Sequence, residues 1–222
     1  MATFRPSVRT TARSALVAIA VLVVATSCSI GADDEPRALA VSTTTTSTPA
    51  APTSGGASAE LWYVSDGALV PVSLSLPDHL LSTVVGAIFD APDPAVEAHD
   101  LTTSIPVDTS LRSVDLVDGT LTIDLSEEFD NVIGPSRQQA IAQIVLTATD
   151  FSNVNRVRFQ VDGTPIQVAT PTRGDAATVT ACDYASLLAD PVELAQDVTD
   201  DTMIVGLQER LAELEKSCPT AD

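Results

Sequence analysis

The stretch that decides the fold is Leu111-Arg112-Ser113-Val114-Asp115-Leu116-Val117-Asp118-Gly119-Thr120-Leu121-Thr122-Ile123-Asp124-Leu125. Val114 and Leu116 alternate with Asp115 and Val117, and Leu121, Ile123 and Leu125 alternate with Thr122 and Asp124. That period of two belongs to strands with one buried face. Asp118-Gly119 between them predicts a two-residue hairpin turn. A lone hairpin is only marginally stable, so its apolar face needs a second layer.

The sequence downstream supplies one. Ser136 followed by Gln139 fits a capping box, and Ala140, Ile141, Ile144, Val145 and Ala148 recur as a single helical stripe. Asn153 to Asn155 breaks the helix. Val157, Phe159 and Val161 then alternate with Arg158 and Gln160 as a strand, and Asp162-Gly163 turns the chain toward Ile166 and Val168. Upstream, Leu61-Trp62-Tyr63-Val64 and Ala68-Leu69-Val70-Pro71-Val72 flank Asp66-Gly67 as a further hairpin, with Pro71 marking an edge strand. A helix is expected from about Pro77 to Asp90, then a polar loop from Pro92 to Thr103. The order ββ-α-ββ-α-ββ over about 110 residues predicts a compact α+β domain, a mainly antiparallel sheet with two helices packed on one face.

Residues 169–222 form an extension to this domain, placed at 60–168. Tyr184 to Leu188 and Val192 to Ala195 suggest short helical turns. Thr202 to Lys216 predicts an amphipathic helix, with Met203, Ile204, Leu207, Leu211 and Leu214 on one side and Glu209, Arg210, Glu213 and Glu215 elsewhere. It either packs on the domain or presents a partner-binding face; a seam under two heptads long favours packing.

The other end is an export signal. Arg5, Arg9 and Arg13 precede the apolar run Ser14 to Val24, too short to span a bilayer comfortably, and Ala25-Thr26-Ser27-Cys28 follows. This ending resembles a lipobox, which implies residues 1–27 are a signal peptide and Cys28 carries a lipid that anchors the chain to the outer face of the cell membrane. An ordinary signal peptide and an uncleaved anchor are the alternatives. Residues 28–59, rich in Ala, Ser, Thr and Pro, are expected to be a disordered tether, because they have too little apolar surface to offset ordering. In an oxidising compartment Cys182 and Cys218 form either a disulfide, worth about 3–4 kcal/mol by loop entropy, or two free thiols.

The net charge is −19 over 222 residues. Nucleic acid requires a basic footprint, so it is excluded as a partner.

Leu61 to Val64, the Ser104-Ile105-Pro106 approach, the Val117 to Ser126 hairpin, the Gln139 to Thr149 helix and Val157 to Gly163, taken in order, resemble the GerMN (sporulation and spore germination) domain. The resemblance covers about Leu61 to Val168. It implies a fold similar to ring-building motifs, a secreted or lipid-anchored bacterial location, and no catalytic residue set. The chain departs from relatives with tandem domains or a following β-propeller, so neither ring formation nor sensor regulation transfers.

Other chemistries find little footing. His79 and His99 are the only histidines, and no Ser or Cys sits in a Gly-rich elbow. Asp124, Glu127, Glu128 and Asp130 would be the carboxylates of a cell-wall hydrolase, but solvated acids at a strand end account for them. Asp90, Asp93, Glu97, His99 and Asp100 lack EF-hand spacing, and no Cys/His pattern suggests zinc. Arg173-Gly174-Asp175 is a chance adhesion tripeptide. The function expected is a non-catalytic interaction module, without cofactor or metal, that docks a cell-envelope protein or self-associates through a sheet edge and the Trp62-Tyr63 pair. The alternatives are a solute- or ion-binding lipoprotein and, less favoured, the hydrolase.

Overall fold

The structure, a computed structural model, describes residues 56–91, 93–197 and 200–218, all within one compact unit. The signal segment, Cys28 and the tether as far as residue 55 lie outside them. In chain order the elements are β1 (Ala57–Ser65), β2 (Ala68–Leu76), α1 (Leu81–Ala87), α2 (Pro94–Ala98), β3 (Leu111–Val117), β4 (Thr120–Leu125), α3 (Gly134–Ala148), β5 (Arg156–Val161), β6 (Thr164–Ile166), β7 (Val168–Thr170), β8 (Gly174–Ala176), α4 (Pro191–Asp197) and α5 (Asp201–Ser217). Two 3₁₀ segments, Glu127–Asn131 and Ala181–Leu187, complete the set.

All three Asp-Gly pairs make the turns expected of them. Asp66 and Gly67, Asp118 and Gly119, and Asp162 and Gly163 each combine two positive φ angles, from 47° to 86°. That left-handed pair matches strand twist, and it fixes the registers of β1–β2, β3–β4 and β5–β6.

The strands form three sheets instead of one. β1 and β2 are a separate hairpin, β3-β4-β5-β6 is the main sheet, and β7 with β8 is a small third pair. Within the main sheet β4 and β5 run parallel, Leu121 beside Val157 and Ile123 beside Phe159. Parallel neighbours need a long crossover, and α3 is that crossover. The α+β class with mainly antiparallel pairing holds, with this one parallel seam inside it.

α3 is not a surface helix with a single apolar stripe. Ala140 to Ala148 are all buried, Gln143 and Thr147 included. Nor does Ser136 cap it. The helix begins two residues earlier, at Gly134, with Ile133 at the cap and no side-chain cap bond. Pro135, whose missing N–H costs nothing in a first turn, supplies the start instead.

Gln139, read as a capping partner, reaches outward: its amide donates to the Gly67 carbonyl (2.7 Å), and its oxygen accepts from Ser104 Oγ (3.0 Å). Four residues on, Gln143 donates to the Trp62 carbonyl (2.8 Å) and accepts from Ser104 N–H (2.8 Å). Four further, Thr147 Oγ1 accepts from Trp62 N–H (3.2 Å). The helix thus covers the open edge of β1 with a polar row.

Two other expectations need correction. The tether ends before residue 59, since Ala57 to Ala59 pair with Leu76 to Leu74 and Ala59 is buried. The Pro92 to Thr103 loop contains α2, whose first turn is capped by the Asp93 carboxylate accepting from Ala95 N–H (2.8 Å), with Val96 fully buried.

The extension completes the core. Four consecutive residues of β1, Leu61 to Val64, are buried, so both faces of the hairpin are covered. α5 packs on β2, and a Cβ added at Gly206 would strike the Glu60 carboxylate. Met203, Leu207 and Leu214 are buried on its inner side, each stabilising by about 1.5–3 kcal/mol. Val179 bridges to Val157, and Ala189 N–H donates to the Leu69 carbonyl (3.0 Å). Cys182 and Cys218 are joined as a disulfide, with Cα atoms 5.5 Å apart.

Candidate functional site

Trp62 and Tyr63 are not a surface pair. They are 1% and 3% exposed, because β1 lies inside the molecule with its edge under α3. Burial, with Asp93 and Asp90 nearby, pushes the Tyr63 hydroxyl up to about 12, so it stays protonated.

The acidic residues considered for catalysis or metal binding are dispersed into local roles. Asp124 accepts from Gly163 N–H (2.9 Å) at the third hairpin turn. Asp130 pairs with Arg137 (3.0 Å), whose guanidinium also lies 4.7 Å from the Phe129 ring centroid and donates to the Phe129 and Val132 carbonyls. His99 lies 3.5 Å from Asp200, the residue capping α5. Among the described residues no three His, Cys, Asp or Glu side chains converge as a metal site.

A concavity among the described residues lies elsewhere. A groove of about 710 Å³ opens between the loop after α3, the segment from Thr172 to Asp183, and the last turns of α5. Phe151, Val154, Leu214 and the Cys182–Cys218 bridge provide its apolar lining, and Arg173, Arg210, Asp183 and Glu213 its charge. The disulfide holds two of its walls together.

Each charged group is placed by a local cause. Asp183 is buried at the first turn of the 3₁₀ segment, where it closes a capping box with Thr180. It accepts from Thr180 N–H (2.8 Å) and Oγ1 (3.1 Å), from Arg173 Nε (2.5 Å) and Nη2 (2.9 Å), and from Thr172 Oγ1 (3.4 Å). Burial raises its pKa, but these donors outweigh burial and hold the carboxyl below its ordinary range.

Arg210, which helical spacing put on the outer side of α5, is only 6% exposed. Nη2 donates to Thr149 Oγ1 (2.7 Å) and Nη1 pairs with Glu213, while Nε is buried with no partner among the described residues. Glu60 and Asp150 also face this guanidinium. Burial raises the Glu60 carboxyl, as do Asp150 and Glu209, against the opposing pull of Arg210. No motif in the sequence announced this cluster: its members come from four segments, β1, the loop after α3, residues 172–183 and α5.

Comparison with known proteins places the unit that carries this groove. The family model Germane, described as sporulation and spore germination, matches residues 53–167, more than half of the chain. The chain belongs to the Germane family. The Germane match ends before β7, so the groove is built by the end of the Germane segment together with the extension.

Among solved structures, the tandem GerMN domains of the sporulation protein GerM from Bacillus subtilis are similar at 23% identity and a TM-score of 0.47, over 58% of this chain. The chain spans about half of that tandem structure, 47% of its length. The first GerMN domain of the same protein is 25% identical, with a TM-score of 0.44, over 55% of this chain and 92% of that one. A putative lipoprotein from Clostridium perfringens is 20% identical, with a TM-score of 0.33, over 50% of this chain and 77% of that one. No curated protein matches the chain.

Proposed function

We propose that this Germane-family chain is exported, lipid-anchored through Cys28, and acts as a non-catalytic interaction module of the cell envelope. The observation that carries the proposal is the Germane match over residues 53–167, standing behind an N-terminus that ends in Ala25-Thr26-Ser27-Cys28. The family description, sporulation and spore germination, is the biological setting this suggests.

With Trp62 and Tyr63 buried, the surface proposed for contact is the outer edge of the main sheet. β3 is bonded to β4 on one side, and Arg112, Ser113, Asp115 and Val117 are exposed along it. An edge strand is a ready template for another chain, and its bulge near Leu111 and its two charged residues restrain indiscriminate pairing.

The test places a photo-crosslinking amino acid at Asp115 in the full chain, in its native membrane, with Lys216 as the control position. Incorporation of radiolabelled palmitate, lost in Cys28→Ala, checks the anchor. A dominant adduct from position 115, reduced in Cys28→Ala, supports the module. Absence of any adduct specific to position 115, or turnover of peptidoglycan by the purified chain, sinks it.

A further inference from the structure

We infer that the outer edge of β3 accepts an extended segment in which basic residues alternate with apolar ones. This rests on the docking role proposed above and deepens it by naming the partner's chemistry. The two-residue turn at Asp118-Gly119 makes Val117 and Thr120 a hydrogen-bonded pair, and pairing alternates back along the strand. Ser113, Asp115 and Val117 therefore bond to β4. The N–H and C=O groups of Val114 and Leu116 point outward, with no partner among the described residues.

Among the described residues, the other long strands have outer edges that are occupied or interrupted. On β1, α3 takes the amide groups of Trp62, and Thr102 exchanges two bonds with Val64 (2.8 and 2.9 Å). On β2, the Leu69 carbonyl accepts from Ala189 N–H, and Pro71 has no donor. β5 is flanked by β6 and, at Val157, by Val179. β3 keeps its outward donors and acceptors for an incoming strand.

The side chains along that edge set the pattern. Val114 and Leu116 lie on the inner face, opposite Ile123 and Leu121, and are only half-buried. An incoming strand places alternate residues beside them, and apolar ones complete their burial. Its intervening residues fall on the outer face, beside the exposed Asp115. Asp118 at the turn and Asp108 ahead of the strand are exposed as well, and none of the three is in an ion pair among the described residues. The strand's own cation, Arg112, is held by Asp162 (2.6 Å), and Arg158 stands two strands away, beyond Thr122 in the row of Asp115. Lysine or arginine beside Asp115 is favoured there and a carboxylate disfavoured. Edge-to-edge pairing of two copies, each at −19 and centred on this strand, would set like charges side by side.

The experiment titrates the full, detergent-solubilised chain with acetyl-Thr-Val-Lys-Val-Lys-Val-Thr-amide, followed by calorimetry and by amide hydrogen exchange. Two control peptides separate strand addition from plain attraction to an acidic protein. One replaces both lysines with glutamate. The other, acetyl-Thr-Lys-Lys-Val-Val-Val-Thr-amide, keeps the charge but loses the alternation. The alternating basic peptide is expected to saturate below about 1 mM, with each control at least about tenfold weaker. Bound peptide should slow exchange at Val114 and Leu116 and leave Asp115 and Val117, already bonded to β4, unchanged.

Val114→Pro removes an outward donor and no bond to β4, and is expected to lose at least about tenfold. Asp115→Lys, at an exposed position, keeps the test valid if the proline variant does not fold. It is expected to bind the glutamate peptide better than the lysine one. The inference is overturned if the alternating basic peptide does not saturate by about 5 mM, or if either control binds as well as it does. Unchanged exchange at Val114 and Leu116, or a native preference kept by Asp115→Lys, overturns it too. Crosslinking from position 115 without these preferences strikes the basic pattern alone. Absence of crosslinking with the preferences intact strikes the envelope partner alone.

Discussion

The Gln143 side chain donates to the carbonyl of Trp62 at 2.8 Å from the buried part of α3, and Thr147 takes the N–H of that same residue. Trp62 stands opposite Pro71 in the β1–β2 ladder. Proline has no N–H to give, so the pair is a non-hydrogen-bonded one and the Trp62 amide groups point away from β2. Buried backbone groups need partners, and α3 supplies both from side chains one turn apart.

Gln143→Leu keeps the volume but strips the Trp62 carbonyl and Ser104 N–H of their partner. A loss of about 2–4 kcal/mol in urea unfolding is expected, against about 1–2 for Thr147→Val. The double variant should lose less than the sum, because both act on one residue.

Reducing the Cys182–Cys218 bridge, or Cys218→Ser, should lower stability by about 3–4 kcal/mol, given a sequence separation of 36. Hydrogen exchange locates the effect. Protection should fall first in α5 and in the Ala181–Leu187 segment, while β4 and β5 keep theirs.

The glycine turns differ in a way that substitution reads. Gly119 has φ +71°, and a Cβ there would collide with Asn155 Nδ2, whereas Gly163 has φ +75° with open space around it. Both pay left-handed strain as alanine, and because the exposed Asn155 side chain can swing aside, Gly119→Ala should cost at most about 0.5–1 kcal/mol more than Gly163→Ala in thermal unfolding.

Two carboxylates give opposite pH dependences. Asp183 has a lowered folded-state pKa, so its contribution is present above its unfolded value near 3.8 and is lost as pH falls through the folded value. Asp183→Asn should cost about 2 kcal/mol at neutral pH, and much less once the native carboxyl is protonated. Glu60 has a raised folded-state pKa, chiefly from burial. Its contribution is complete below about 4.5 and is lost as pH rises through the folded value, so Glu60→Gln should raise the neutral-pH melting temperature and leave that at pH 4 unchanged.

Local chemistry determined much of this protein before any tertiary contact was considered. Asp-Gly pairs fix turns because two adjacent positive φ angles suit few other residues, and the alternation of Leu121, Ile123 and Leu125 fixes a buried strand face. The periodicity of Met203, Leu207 and Leu214 gave α5, and an even pair of cysteines allowed the bridge. Tertiary structure alone decided the parallel pairing of β4 with β5, the burial of Trp62 and Tyr63, and the inward turn of Arg210. Alternation reports that a strand has an apolar face but not which strand lies beside it, and a polar side chain in a helix reads as solvent-facing until its partner, 61 residues away at Thr149, is brought against it. The groove belongs wholly to this second class, because its lining comes from segments that the chain order keeps apart.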